Sequence, residues 1–280
     1  MFNGIILTWF VLTALSVIFV AIDIRSTPES PVLKWGFVIV TLFTGPIGAM
    51  LYVLGCREPI AGTHEQYIAA QWRQTLGSTM HCVAGDGIGI LTGAVIGGFL
   101  MLPPAFDVAM EYLLGFTFGL GIFQALFMRD MVGGSYTRAL AAAFIPELTS
   151  MNCLMAGMIP VAMVFKARVP GGANPASPAF WFIMSMALLT GFITAYPMNW
   201  WLVARKLKHG MLTVRRAEAQ GTGDHAMPGM DHHSQSGHEG EMGEHSGHLA
   251  PATSSVMIAL VTLLSFLIIS GGIAVAIAIA

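Results

Sequence analysis

The sequence predicts an all-α fold, a polytopic membrane bundle of about seven transmembrane helices. Only 10% of the 280 residues are charged and 55% are apolar, whereas an ordinary soluble domain carries about 25% charged residues. Such a chain cannot cover a water-facing surface. Several apolar stretches reach the roughly 20 residues that a helix needs to cross a hydrocarbon core about 30 Å thick. The short alternating segments of a membrane β-barrel are missing, which leaves helices as the way to satisfy backbone polar groups away from water.

The expected spans are 4–22, 36–55, 77–101, 105–128, 139–165, 178–204 and 256–280. Residues 1–8 carry no Lys or Arg and no small-residue cleavage site follows, so the first stretch reads as a permanent span rather than a signal peptide. Asp23, Arg25 and Pro28 end it. Segment 57–76 is too polar to span, and with Tyr67 and Trp72 it reads as a short interfacial helix. Pro103 and Pro104 separate the third and fourth spans, while Lys166, Arg168, Pro170 and Pro175 separate the fifth and sixth. The chain thus divides into two N-terminal spans with an interfacial segment (1–76), a four-helix membrane domain (77–211), a polar loop (212–252) and a C-terminal anchor helix (253–280). The loop is too poor in large aliphatic residues to fold alone and is expected to be disordered.

With a cytoplasmic N-terminus, the inside loops hold nine Lys and Arg and the outside loops four, which favours that orientation and an outside C-terminus. Cys56, Cys82 and Cys153 are odd in number and far apart, so they form no disulfide framework. No basic patch interleaved with aromatics points to nucleic acid; the partner the composition demands is a lipid bilayer.

The third span contains GSTMHCVAGDGIGILTGAVIGG. Gly85, Gly89, Gly93 and Gly97 recur every four residues, so they line one helix face and permit close helix approach. Cys82 and Asp86 share a face, and Asp86 lies near mid-membrane, where an ionisable side chain costs several kcal/mol unless paired or hydrated. In the fifth span Glu147 follows Pro146, which removes a helix hydrogen bond. Met151, Met155 and Met158 continue the Glu147 stripe, either as core filler or as thioether ligands on a metal path. His81, Cys82, Asp86, Gln124, Glu147, Asn152, Cys153, Tyr196 and Asn199 all fall at comparable depth under this topology. They are expected to line a polar cavity open to the cytoplasm. Asp107 and Glu111 lie near the outer face, where they can simply be hydrated.

The polar loop carries the strongest compositional signal. His225, His232, His233, His238, His245 and His248 fall within 24 residues, interleaved with Met227, Met230 and Met242. Imidazole suits Cu, Zn and Ni, and thioether selects Cu(I). The spacing of a folded structural zinc site is missing, so a weak buffer or sensor for Cu or Zn ions is expected. The run MPGMDHH resembles the Met/His-rich stretches of bacterial copper-handling proteins, which implies such proteins as partners. Stretches of that kind lie outside bacterial inner membranes, whereas the charge count puts this one inside.

The stretch GFITAYPMNWWLVARKLKHGM (191–211), with its core Tyr196-Pro197-Met198-Asn199-Trp200-Trp201, resembles the closing signature of an uncharacterised bacterial membrane family, a domain of unknown function. The runs MHCVAGDGIG (80–89) and PELTSMNCLMAGM (146–158) are similar to its earlier blocks. The resemblance covers roughly 77–211 and implies a shared helical domain in a bacterial inner membrane, with no activity attached. From the residues themselves, the expected role is transition-metal handling, with copper the metal that the loop composition favours, as a transporter or accessory. A membrane-embedded enzyme or assembly factor using His81, Asp86 and Glu147, and a structural scaffold, stay open beside it.

Overall fold

The computed structural model describes residues 2–129, 132–210 and 254–279. Among them the architecture is all-helical: α1 Phe2–Asp23, α2 Pro31–Thr44, α3 Pro46–Gly55, α4 His64–Ile68, α5 Gln71–Leu100, α6 Pro104–Phe118, a π-helical turn Gly119–Gln124, α7 Ala125–Arg129, α8 Tyr136–Arg168, α9 Pro178–Ala204 and α10 Ser255–Ile279. Six stretches are long and apolar enough to cross a membrane, namely Asn3–Ser26, Gln71–Leu100, Pro104–Arg129, Tyr136–Arg168, Pro178–Ala204 and Ser255–Ile279. The protein is a polytopic membrane bundle, and among the described residues the helices long enough to cross number six, close to the seven of the hydropathy reading.

The difference lies in 36–55, expected as one span. Gly45 takes φ +60° and ψ −139°, a conformation only glycine adopts without strain, and Pro46 follows at the first position of α3. The chain reverses there. The rings of Phe37 and Tyr52 lie 5.6 Å apart, whereas 15 residues of straight helix would put them roughly 22 Å apart. The Tyr52 hydroxyl donates to Asp23 Oδ2 at 2.8 Å and lies 3.1 Å from Thr27 Oγ1, and Arg57 pairs with Asp23 at 2.9 Å. The end of α1, the start of α2 and the end of α3 therefore share one end of the bundle. Helices α2 and α3 form a re-entrant hairpin, its turn seated against Trp9 and Thr13 of α1. A hydropathy window sees 20 apolar residues and cannot see the reversal.

Segment 57–76 also differs from expectation. Only His64–Ile68 forms a short helix, and Gln71–Leu76 already belongs to α5. These polar first turns are held by backbone carbonyls: Arg73 donates to Tyr67 O at 2.8 Å and Leu54 O at 3.2 Å, and Gln74 donates to Ile68 O at 2.8 Å. Arg73 also lies over the rings of Tyr67 and Trp72.

The glycine face of α5 packs as expected. A Cβ at Gly85 would sit 2.8 Å from Phe123 of the π turn, one at Gly93 2.8 Å from Glu111 Cα, and ones at Gly89 and Gly97 would run into Leu114 and Asp107. The row therefore lies along α6 and the π turn in antiparallel sense. Helix α8 is the central column. It continues through Pro146 and Pro160, meets α9 where Thr194 donates to Cys153 O at 2.8 Å, and meets α10 where Asn152 donates to Ser265 Oγ at 3.0 Å. Most of α10 faces outward, with only Ser265 and Ala276 buried, which suits a lipid-facing anchor.

The hairpin predicts that Ser26→Cys and Ile60→Cys will be labelled by a membrane-impermeant thiol reagent from the same side; labelling from opposite sides would restore a through-going span. Gly93→Val should cost about 1–3 kcal/mol, read as a lowered unfolding temperature in micelles, because the obstructing atoms are backbone. Gly4→Val, where a Cβ meets nothing within 4 Å, is the control.

Candidate functional site

Where α5, the π turn and α8 converge, the side chains are polar. Cys82 and Asp86 lie one turn apart on α5, and Glu147 and Ser150 project from α8. All four residues are buried. The Cys82 thiol lies 3.3 Å from Glu147 Oε2, 3.5 Å from Asp86 Oδ2 and 3.2 Å from Ser150 Oγ. One donor atom each from Cys82, Asp86 and Glu147 fits within a span of 4.8 Å. An apolar helical interior would not hold such a group unless its members satisfied one another.

A fourth participant comes from beyond the membrane helix. Lys208 extends its ammonium to Cys82 Sγ at 3.0 Å and Glu147 Oε2 at 3.1 Å, with the lysine side chain 3% exposed. The backbone explains how it gets there. Lys206 takes φ +57°, Lys206 N–H donates to Val203 O at 3.0 Å and Leu207 N–H donates to Leu202 O at 2.9 Å. This is the Schellman pattern of a helix C-terminus, with an apolar residue packing back after the left-handed one. Leu207 packs against the cluster of Cys153, Met198 and Leu202, and the next residue turns inward. Lys208 is the functional candidate that sequence reasoning missed. The Lys/Arg run at 205–216 reads as a solvated topology signal, and the sole hint to the contrary is the apolar Leu207 set between two lysines.

Asp86 Oδ1 and Glu147 Oε1 are buried and take no donor from any other residue. The two carboxyls bond to one another, and both oxygens abut Gly119, where a Cβ would meet Asp86 Oδ1 and would lie 2.6 Å from Glu147 Oε1. Gly119 opens the π turn. Helices widen in this way most often at functional sites.

The other expected cavity residues divide. His81 is buried next to the cluster, its ring tilted against Phe123 and Phe127 with centroids 5.6 and 5.0 Å away and both ring nitrogens unpartnered. Gln124 and Asn199 are buried, with Gln124 Nε2 and both Asn199 amide atoms unpartnered. Asn152 instead ties helices together: it accepts from the Tyr112 hydroxyl at 2.6 Å and donates to Ser265. Cys153 faces the apolar contact with Met198 and Leu202. Tyr196 is half-buried and donates to Trp72 O at 3.1 Å, toward the start of α5. Met151, Met155 and Met158 lie in the apolar core. Asp107 and Glu111 are not simply hydrated: Lys166 bridges them at 3.1 and 2.9 Å, beside a cleft of about 300 Å³. The loop ligands His225, Met227, Met230, His232, His233, His238, Met242, His245 and His248 lie outside the described residues.

No curated protein and no solved structure matches the chain. Residues 71–208, just under half its length, match the model of a family described as a domain of unknown function (DUF4396). That match opens on the first residue of α5 and closes on Lys208, so every member of the buried cluster lies inside it.

Proposed function

We propose that the protein handles a transition-metal cation, copper or zinc, collected by the His/Met-rich segment and held within the membrane by Cys82, Asp86 and Glu147. The carrying observation is the buried convergence of the Cys82 thiol with two carboxyl groups, Asp86 and Glu147, that face one another against Gly119. One ammonium balances one carboxylate. The second carboxyl of the pair stays neutral by keeping a proton, and a divalent ion that displaced this proton and that of the Cys82 thiol would meet three anionic donors. A thiolate and two carboxylates are a donor set for a borderline divalent ion. Lys208 holds the cation's place until the ion arrives. The His and Met ligands follow Lys208 in the sequence from His225 onward.

Orientation enters the same proposal. The hairpin supports placing Arg25, Lys34, Arg57, Arg73, Arg129, Arg138, Arg205, Lys206 and Lys208 at one end of the bundle, and Lys166 and Arg168 at the other. Nine against two is a steeper bias than nine against four, and it makes the nine-charge end cytoplasmic. With six crossings both chain ends then lie on the far side, in place of the cytoplasmic N-terminus expected from seven. The His/Met-rich segment stays cytoplasmic, as a collector on the inner face of a bacterial-type inner membrane.

The competing reading is a structural ion pair, favoured by the close fit of Lys208. The two separate in full-length Cys56→Ser protein titrated with Co2+ in micelles, read through the sulfur-to-cobalt charge-transfer absorption that only a thiolate gives. Metal handling predicts that Asp86→Asn weakens this binding roughly a hundredfold, about 2.7 kcal/mol. Lys208→Gln should tighten it roughly tenfold, about 1.4 kcal/mol, by removing the competing cation. A protein that shows no such absorption, and loses folded yield on Lys208→Gln, would establish the structural reading instead.

A further inference from the structure

A second group of donors lies apart from this cluster and outside the region matched at 71–208. Glu29 sits just before α2, Cys56 caps the end of α3, and His64 begins α4. One donor atom from each fits within 4.8 Å, and none of the three residues is more than 1% exposed. His64 Nε2 lies 2.9 Å from Glu29 Oε1. The re-entrant hairpin brings them together: had 31–55 crossed the membrane, Glu29 and Cys56 would lie on opposite faces.

We infer that Glu29, Cys56 and His64 form a binding site for a zinc-type divalent cation at the mouth of the hairpin. Thiolate, imidazole and carboxylate are the three ligand types that Zn2+ takes, and three protein ligands with a fourth position left for water is the arrangement of its open sites; Co2+ takes the same geometry. The distances suit it. Tetrahedral ligands about 2.0–2.3 Å from an ion lie about 3.3–3.8 Å from one another. The Glu29–His64 pair would therefore open by about half an ångström to admit the ion, the imidazole binding through Nε2 with its proton on Nδ1, while Cys56 is already within reach. Burial, reinforced by the Glu29 carboxylate and opposed by Lys34, pushes the Cys56 thiol well above its ordinary range. Without metal, Cys56 therefore keeps its proton. Binding forms the S–metal bond, breaks S–H and releases one proton to solvent, so affinity falls as pH falls. Such an ion would clasp the two feet of the hairpin and the start of α4.

A structural His–Glu pair beside an inert buried cysteine is the ordinary alternative, and the test separates them. Full-length Cys82→Ser protein in micelles is titrated with Co2+, following the sulfur-to-cobalt absorption. The His/Met-rich segment contains no cysteine and is silent in this readout. The site predicts saturation at one equivalent, displacement by Zn2+, and loss of the absorption in both Cys82→Ser/Cys56→Ser and Cys82→Ser/His64→Gln proteins. If one double variant fails to accumulate, the other decides. Lack of the absorption in Cys82→Ser protein, or its survival at full intensity in either double variant, overturns the site. The inference stands apart from the deeper cluster: absorption that persists in Cys82→Ser but is missing from Cys56→Ser leaves this site intact while removing the other.

Discussion

Two carboxyl groups set side by side where no water reaches constrain everything around them. Asp86 and Glu147 cannot both stay ionised in a medium of low dielectric without a cation between or beside them. The chain supplies one cation from an unexpected quarter, Lys208, four residues beyond the end of α9. That requirement explains why α9 ends as it does. Lys206 in the left-handed region and Leu207 returned to the apolar surface are what it takes to aim the following ammonium back into the membrane domain. The same demand fixes the order of packing, since α5 and α8 must lie parallel and close enough for the Cys82 thiol to reach Glu147.

Close approach has its own physical basis. The glycine row of α5 lets α6 and the π turn lie against it with backbone nearly touching backbone, and Gly119 extends the arrangement to the carboxyl oxygens. A side chain at Gly119 would collide with Asp86 Oδ1 and Glu147 Oε1, so glycine is what lets the π turn close directly over the carboxyl pair. Single π turns inside α-helices are rare and occur frequently at functional sites, and this one lies against the buried ionisable group.

Much of this was legible in the sequence, and the failures have identifiable causes. Hydropathy located the long helices because a bilayer imposes one length on all of them. The four-residue glycine period gave the α5 contact face, and depth alone picked out Cys82, Asp86 and Glu147. Depth also produced the errors. It grouped Asn152, Cys153 and Tyr196 with the cluster although they face other directions on their helices: Asn152 toward α6 and α10, Cys153 toward the apolar end of α9, and Tyr196 toward Trp72. Rotation about a helix axis cannot be read from hydropathy when every face is apolar. The hairpin was hidden for a related reason, since one glycine in the left-handed region before a proline leaves the apolar composition of 36–55 unchanged. Lys208 and His64 were overlooked because a charge in a loop is ordinarily solvated.

The hairpin joins the two donor groups mechanically. Glu29 stands two residues before α2, and Gly36 of α2 rests on α5, where a Cβ would lie 3.5 Å from His81 Cα and 3.8 Å from its Nδ1. His81 is the chain neighbour of Cys82. A displacement of Glu29 that moved α2 along its axis would therefore be felt on α5 within one residue of the buried thiol. Packed helices transmit small shifts because interiors are close to incompressible. Clasping the feet of the hairpin would thus hold α2 against α5, whereas releasing them would free the wall behind His81. The re-entrant segment is therefore both the wall behind His81 and the support that brings Glu29, Cys56 and His64 together.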